Sequence, residues 1–182
     1  MSFTVSVFCG SSDRVPDVYK EAAESVVQAL AAQDCSIVYG GGRTGLMGVV
    51  ARSALAKGMK VTGIIPEVLV ERELLTSDVM ETIFVRNMHE RKALMADRSQ
   101  AFIALPGGPG TFEEIIEQWV WAIIGIHHKP CALLNVNGYF SPFEDMIDKM
   151  VSEGFVSEKN ADALFLSDDP KEIMHHFSKV LA

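Results

Sequence analysis

Basic residues are scarce in this chain. Sixteen lysines and arginines stand against 24 aspartates and glutamates, a formal net charge of −8, which is the opposite of the positive face with which a protein holds a polyanion. The sequence therefore reads against a nucleic-acid partner and for a small ligand. Long apolar runs are missing too: no stretch reaches the ~18 residues that a membrane span requires. The segment Met1 to Gly10 has neither the charged start nor the cleavage site of an export signal. The expectation is a cytoplasmic protein without membrane association. Cysteine is limited to Cys9, Cys35 and Cys131. Odd in number, far apart and set in apolar runs, they read as buried thiols of a reducing compartment rather than as a disulfide frame or a zinc site. His89, His127 and His128 have no carboxylate or cysteine at a metal-ligand spacing, so they read as surface or loop histidines and no metal is expected. Neither glycine-rich run ends in Gly-Lys-Ser or Gly-Lys-Thr, which excludes a Walker-type ATPase.

What is present is a regular alternation of short β-rich runs with helical segments. Strands are expected at 3–8, 36–39, 60–65, 81–85, 101–105 and 131–135, and helices at 16–32, 45–57, 88–98, 111–126, 142–153 and 170–181. Most of the strand segments are continuous apolar runs, the signature of parallel strands covered on both faces and joined by helical crossovers. With 182 residues and no repeat, low-complexity segment or linker, the chain reads as one α/β domain over 1–182, a single Rossmann-like open parallel sheet flanked by helices. Its ligand is expected beyond the carboxyl ends of the strands. The stretch Trp119 to Ile126 is apolar all the way round. A helix lying on a sheet needs only one apolar stripe, so the second face implies either neighbouring helices of the same chain or a second subunit, a homodimer.

Three small-residue turns follow strand segments: Gly10-Ser11-Ser12, Gly40 to Gly45, and Gly107 to Thr111. They should converge on one sheet edge, where a single mononucleotide pocket with Ser11, Gly42 and Gly45 among its walls accounts for all three. The most informative is Pro106-Gly107-Gly108-Pro109-Gly110-Thr111-Phe112-Glu113-Glu114. Glycines let backbone N–H groups crowd round a phosphate, and the helix that follows supplies unpaired donors and the positive end of its dipole. Glu113 and Glu114 then fall in the first helical turn beside whatever the loop holds. Thr111-Phe112-Glu113-Glu114 can equally be a capping box, with each side chain serving the other's backbone N–H. The run from Gly40 to Gly45 satisfies G-x-G-x-x-G between a strand and a helix, with Glu67 after the next strand as a candidate ribose acceptor. The other reading is a tight turn that needs glycine only for packing. Arg91 and Arg98 stand two turns apart on a charged helix, whose polar face can be merely solvated. Just upstream of the strand that feeds the glycine turn, however, Arg91 could also grip an anion or neutralise a leaving group.

Together, Pro106-Gly107-Gly108-x-Gly110-Thr111-x-x-Glu114, Gly40-Gly41-Gly42-x-x-Gly45-Leu46-Met47-Gly48, Met88-His89-x-Arg91-Lys92 and Phe8-Cys9-Gly10-Ser11-Ser12 resemble the Lonely Guy family of cytokinin riboside 5′-monophosphate phosphoribohydrolases, whose members are often mislabelled lysine decarboxylases. The resemblance runs from about Val5 to Tyr139, with four motifs in the right order. It implies a dimeric Rossmann-like enzyme that hydrolyses the N-glycosidic bond of a purine nucleoside 5′-monophosphate without metal or organic cofactor. On motif matching it implies Arg91 and Glu114 as the catalytic pair. It implies substrate contacts at Glu73, Lys92 and the loop that includes Gly108, Pro109, Gly110, Thr111 and Glu113. One departure is Val120, where plant members carry a threonine, a difference that bears on the preference for a prenylated adenine. From the residues alone, a nucleotide-binding protein without catalysis stays open, as does, more weakly, a dinucleotide-dependent oxidoreductase.

Overall fold

Most of the apolar runs become parallel strands buried on both faces. The computed structural model describes residues 3–70 and 81–182, with β1 (Thr4–Phe8), α1 (Asp17–Ala31), β2 (Ser36–Tyr39), α2 (Gly45–Ala56), β3 (Val61–Pro66), β4 (Glu81–Val85), α3 (Met88–Arg98), β5 (Ala101–Ala104), α4 (Pro109–Ile123), β6 (Cys131–Leu134), α5 (Ser141–Ser152), a short α6 (Glu158–Ala161), β7 (Leu164–Ser167) and α7 (Pro170–Leu181). The sheet has seven strands in the order β4-β3-β2-β1-β5-β6-β7, and every pairing is parallel. The expected open parallel sheet is therefore present, and its centre is the β1–β5 pair, in register at Val5 opposite Ala101 and Val7 opposite Ile103.

Alternation along each strand divides the interior into two cores. Val5 and Val7 of β1, Ile37 and Tyr39 of β2 and Ile103 of β5 pack under α1, α2 and α7 with Val26, Leu30, Val50 and Phe177. Phe8, Val38, Phe102 and Ala104 point the other way and meet Met95, Ile115, Trp119 and Ile147 of α3, α4 and α5. The one polar residue inside β1 is paired: the Ser6 hydroxyl meets Ser99 Oγ at 2.8 Å and the Met95 carbonyl at 3.2 Å, as a buried polar group must.

Three differences from the sequence reading have physical causes. β7 and α6 were not expected; β7 brings only Leu164, Phe165 and Leu166 to the sheet edge, with half-buried positions, too short a run to stand out. α4 begins at Pro109 with Gly108 as its N-cap, two residues before the expected start, because proline is preorganised for the first helical position. The helix also stops at Ile123, and the residues that follow include the exposed Ile124 and Ile126, 63% and 61% accessible. Trp119, by contrast, is buried and donates its indole N–H to the Asn160 carbonyl at 2.8 Å. The apolar helix is thus half satisfied by its own chain.

Two histidines pack as partly apolar side chains. His127 lies against Phe102 and Trp121, and His176 stacks on Phe165 at 4.3 Å. Burial, then Lys129 and His128, holds the His127 imidazole below its ordinary value of 6.5. Burial and then Lys179 do the same to His176. The folded chain then binds fewer protons than the unfolded one, so this contribution is full above the ordinary imidazole value and is lost as pH falls through the depressed one. The thermal midpoint should drop between about pH 7 and pH 5.5, and a His127→Gln/His176→Gln variant should show a flatter profile. A wild-type midpoint constant over that range would contradict this.

Candidate active site

Chain order runs outward from the central β1–β5 pair in opposite directions, so the connections after these two strands part and leave a crevice at their carboxyl ends. The two turns that line it are stitched together. Leu105 N donates to the Phe8 carbonyl at 2.9 Å and Gly10 N to the Pro106 carbonyl at 3.1 Å. Above this seam lies a cavity of about 320 Å³, walled by Cys9 to Ser11 after β1, Gly108 to Thr111 and Glu114 at the start of α4, Met88 and Arg91 of α3, Met47 of α2 and Leu69 after β3.

The wall is built around one ion pair. The Asn87 side chain caps α3 by accepting from Glu90 N at 2.9 Å, which places Arg91 one turn into the helix. Its Nη2 donates to Glu114 Oε1 at 2.6 Å, with both side chains more than nine-tenths buried. Removing two charges from water costs several kcal/mol per ion before their attraction returns it, and the Arg91 Nε remains buried without a partner. An orphaned donor of this kind costs about 1–3 kcal/mol and marks a place where a ligand acceptor would be favourable. Space for the guanidinium comes from Gly40: a Cβ there would stand 2.6 Å from Arg91 Nη2 and 3.2 Å from Cζ. The glycine of the second turn thus serves the arginine of another motif.

Beside this pair, Lys92 is also buried and bridges two carboxylates of α4, Glu113 and Glu117, the latter at 2.9 Å. Burial alone would lower the Lys92 ammonium, but the hydrogen bonds it donates to Glu113 and Glu117 outweigh it and hold it above its ordinary value. Cys9 faces the same cavity as a protonated thiol, pushed well up by burial and then by the Glu114 charge, against the opposing pull of Arg91. A thiol so held is no nucleophile. Cys35 and Cys131 are likewise buried and unpaired.

The structure therefore brings Ser11, Arg91, Gly108, Pro109, Gly110, Thr111 and Glu114 to one cavity, with Lys92 and Glu113 beside it. Glu73 lies outside the described residues. Gly42 and Gly45 do not line the cavity. The α2 N-terminus is spoken for by the chain itself: Gly45 N donates to Asp13 Oδ1 at 2.7 Å, and Leu46 N and Met47 N donate to the Gly10 carbonyl. The G-x-G-x-x-G turn is accordingly a packing device, not an open pyrophosphate cradle, and Glu67 is an exposed residue outside the cavity. The capping-box reading also fails. Thr111 sits inside α4, and the Glu114 carboxylate is turned to Arg91. Nor is the face of α3 merely solvated: Arg91 and Lys92 are buried, whereas Arg98 is partly exposed and pairs with Glu81 at 3.0 Å. At the α4 N-terminus Pro109 has no N–H, and among the described residues the Gly108 and Gly110 amides meet no backbone partner. That leaves donors for an anion. Sequence reasoning passed over Glu117, whose spacing of three and four from Glu114 and Glu113 was the available signal, and Asp13, which had none. Among the described residues, no group of three or more His, Cys, Asp or Glu side chains is arranged to hold a metal ion, and no helix is long and apolar enough to cross a membrane.

Residues 47–177 match the family model described as "Possible lysine decarboxylase". The chain is 46% identical over 170 residues to the Oryza sativa subsp. japonica protein named "Probable cytokinin riboside 5′-monophosphate phosphoribohydrolase LOGL2", covering 93% of this chain and 70% of that protein. It is 45% identical over 170 residues to the cytokinin riboside 5′-monophosphate phosphoribohydrolase LOG3 of Arabidopsis thaliana, covering 93% and 79%. Among solved structures, the molybdenum cofactor carrier protein of Chlamydomonas reinhardtii superposes with a TM-score of 0.73 over 100% of this chain and 99% of that one, at 17% identity. That likeness speaks to the fold alone.

The Lys92 bridge should support stability. Lys92→Met leaves Glu113 and Glu117 without their cation. Since Glu113 is half exposed, most of the cost falls on Glu117. We expect a loss of about 1–3 kcal/mol in urea unfolding. A Lys92→Met/Glu117→Gln variant should recover part of it. An unchanged midpoint in the single variant would show that the bridge contributes nothing.

Proposed function

The chain belongs to the family of cytokinin riboside 5′-monophosphate phosphoribohydrolases, and from that premise we propose that its crevice hydrolyses the N-glycosidic bond of purine nucleoside 5′-monophosphates, AMP and its N6-modified forms. The products are the free base and ribose 5-phosphate. The observation that carries the reading is the buried Arg91–Glu114 pair set against a helix N-terminus whose Gly108 and Gly110 amides have no backbone partner among the described residues.

Breaking the C1′–N9 bond puts positive charge on the sugar and negative charge on the purine. In this reading the 5′-phosphate sits on the Gly108-to-Thr111 turn with Ser11 opposite, and its binding energy aligns the ribose against Glu114. The Glu114 carboxylate stabilises the cationic sugar and orients the attacking water. Water oxygen bonds to C1′, the C1′–N9 electron pair leaves with the base, and the proton released from water ends on the purine. Arg91 fixes Glu114 in place and offers its free Nε–H to the substrate. Lys92 and Glu113 hold α3 and α4 at the spacing this requires. No metal or organic cofactor enters the proposal. A cytoplasmic setting fits the three unpaired thiols.

The test is release of adenine from AMP and of the free cytokinin from N6-isopentenyl-AMP by purified protein. Glu114→Gln should stay folded and lose at least a hundredfold in turnover, because it keeps the shape and removes the charge. Arg91→Lys should rescue little, since a point charge cannot reproduce the guanidinium fork. Near-normal turnover by Glu114→Gln would end the assignment of Glu114.

We also propose that the chain is a homodimer whose interface includes the outer side of α4 and the residues after it. Val120, Ile124 and Ile126 leave there an apolar strip exposed among the described residues. Light scattering at micromolar concentration should give twice the 19.9 kDa chain mass, and Ile124→Glu should shift the protein towards monomer. A monomeric wild type would remove the argument.

A further inference from the structure

Beside the glycine turn lies a second cavity, about 330 Å³, which shares Gly10, Ser11 and Gly108 with the first and is also lined by Gly107, Tyr19 and Tyr139. Tyr139 does not line the catalytic cavity. It follows β6, its ring packs edge-on to Tyr19 at 5.8 Å and to Phe140 at 5.1 Å, and its hydroxyl donates to the Gly107 carbonyl at 2.6 Å. Gly107 has no freedom on its other sides: a Cβ there would stand 2.0 Å from Thr111 Oγ1 and 2.8 Å from Gly10 N.

The peptide between Gly107 and Gly108 is trans, so its carbonyl and its N–H point in opposite directions. Gripping the carbonyl from behind turns the Gly108 N–H away from Tyr139. Donation to that oxygen also polarises the peptide and strengthens the same N–H as a donor. The Gly108 amide has no backbone partner among the described residues. We propose that Tyr139 is a positioning residue for substrate, acting through the Gly107–Gly108 peptide to aim and strengthen the Gly108 N–H towards the phosphate group. The inference rests on the functional reading above, in that the anion is the 5′-phosphate of the substrate. Tyr139 touches no reacting atom and controls phosphate affinity, not the bond-breaking step.

The variant is Tyr139→Phe, which keeps the ring contacts to Tyr19 and Phe140 and deletes only the hydroxyl. Three quantities are read on wild type and variant: the dissociation constant of inorganic phosphate by calorimetry, kcat and KM for AMP, and kcat/KM for adenosine. The phosphate dissociation constant and the KM for AMP should both rise about five- to tenfold, the gain expected from one polarised hydrogen bond to an anion. The kcat for AMP should stay within about twofold, and kcat/KM for adenosine should not change. Equal phosphate affinity in variant and wild type overturns the proposal. So does a parallel fall for AMP and adenosine, which would mark a general packing role. If wild-type protein releases no base from AMP, the phosphoribohydrolase reading fails, and the calorimetric comparison still decides whether Tyr139 sets anion affinity.

Discussion

The site depends on a charge pair held where water is scarce. Arg91 and Glu114 are 2.6 Å apart and almost fully buried, and their neighbourhood is arranged so that this is tolerable. Gly40 presents no Cβ to the guanidinium, Asn87 sets the start of α3, and Lys92 adds a second set of links between α3 and α4. Stability alone does not require such a pair, since well-packed apolar residues of similar volume are often as stable or better. The free Arg91 Nε makes the point sharper. A donor left buried and unsatisfied is a cost carried by the resting protein, and one that a bound acceptor removes.

The fold makes this arrangement possible by separating rigidity from access. Helices pack on both faces of the sheet, and the central pair β1–β5 is buried except at the half-buried Thr4, so the carboxyl ends of these strands are fixed points. The cavity walls stand close to these ends: Gly10 and Ser11 follow β1, the glycine turn follows β5, and Arg91 lies on a helix that packs on β1, β2 and β3. The hydrogen bond between Gly10 and Pro106 joins the two turns directly. A shift in one strand end is thereby felt at both walls of the cavity.

Much of the fold was legible because the physical signal is local. Val5 to Phe8, Ser36 to Tyr39 and Ala101 to Leu105 are short apolar runs bounded by turn residues, and that pattern has few structural meanings. β7 escaped because an edge strand covered on one side needs only a short apolar core. The start of α4 was misplaced because Thr111 and Glu114 have capping spacing while Pro109 and Gly108 hold the positions. In the site, Arg91, Glu114 and the glycine turn were readable from motif and resemblance. The burial of Lys92 was not, since a lysine on a charged helix carries no mark of the two glutamates that will surround it. The bond from Tyr139 to Gly107 joins positions 32 apart, and neither side chain type nor spacing announces it.

The two glycine-rich turns illustrate how similar sequences acquire different work. Each follows a strand and opens a helix, and each would serve as an anion cradle if its helix amides were free. At α2 they are not: Asp13 and the Gly10 carbonyl accept from Gly45, Leu46 and Met47, so that helix end is closed by its own chain and its carboxylate cap would repel an anion. At α4 the N-cap is a glycine without a side-chain acceptor and the first residue is a proline without an N–H, and among the described residues the amides of Gly108 and Gly110 have no backbone partner. The difference lies in what stands opposite each turn. Asp13 closes the α2 end, and the Gly10 carbonyl completes that closure while the Gly10 amide donates to the Pro106 carbonyl. One glycine thus shuts one helix terminus and anchors the loop at the other, so that of these two helix ends the one left open is that of α4.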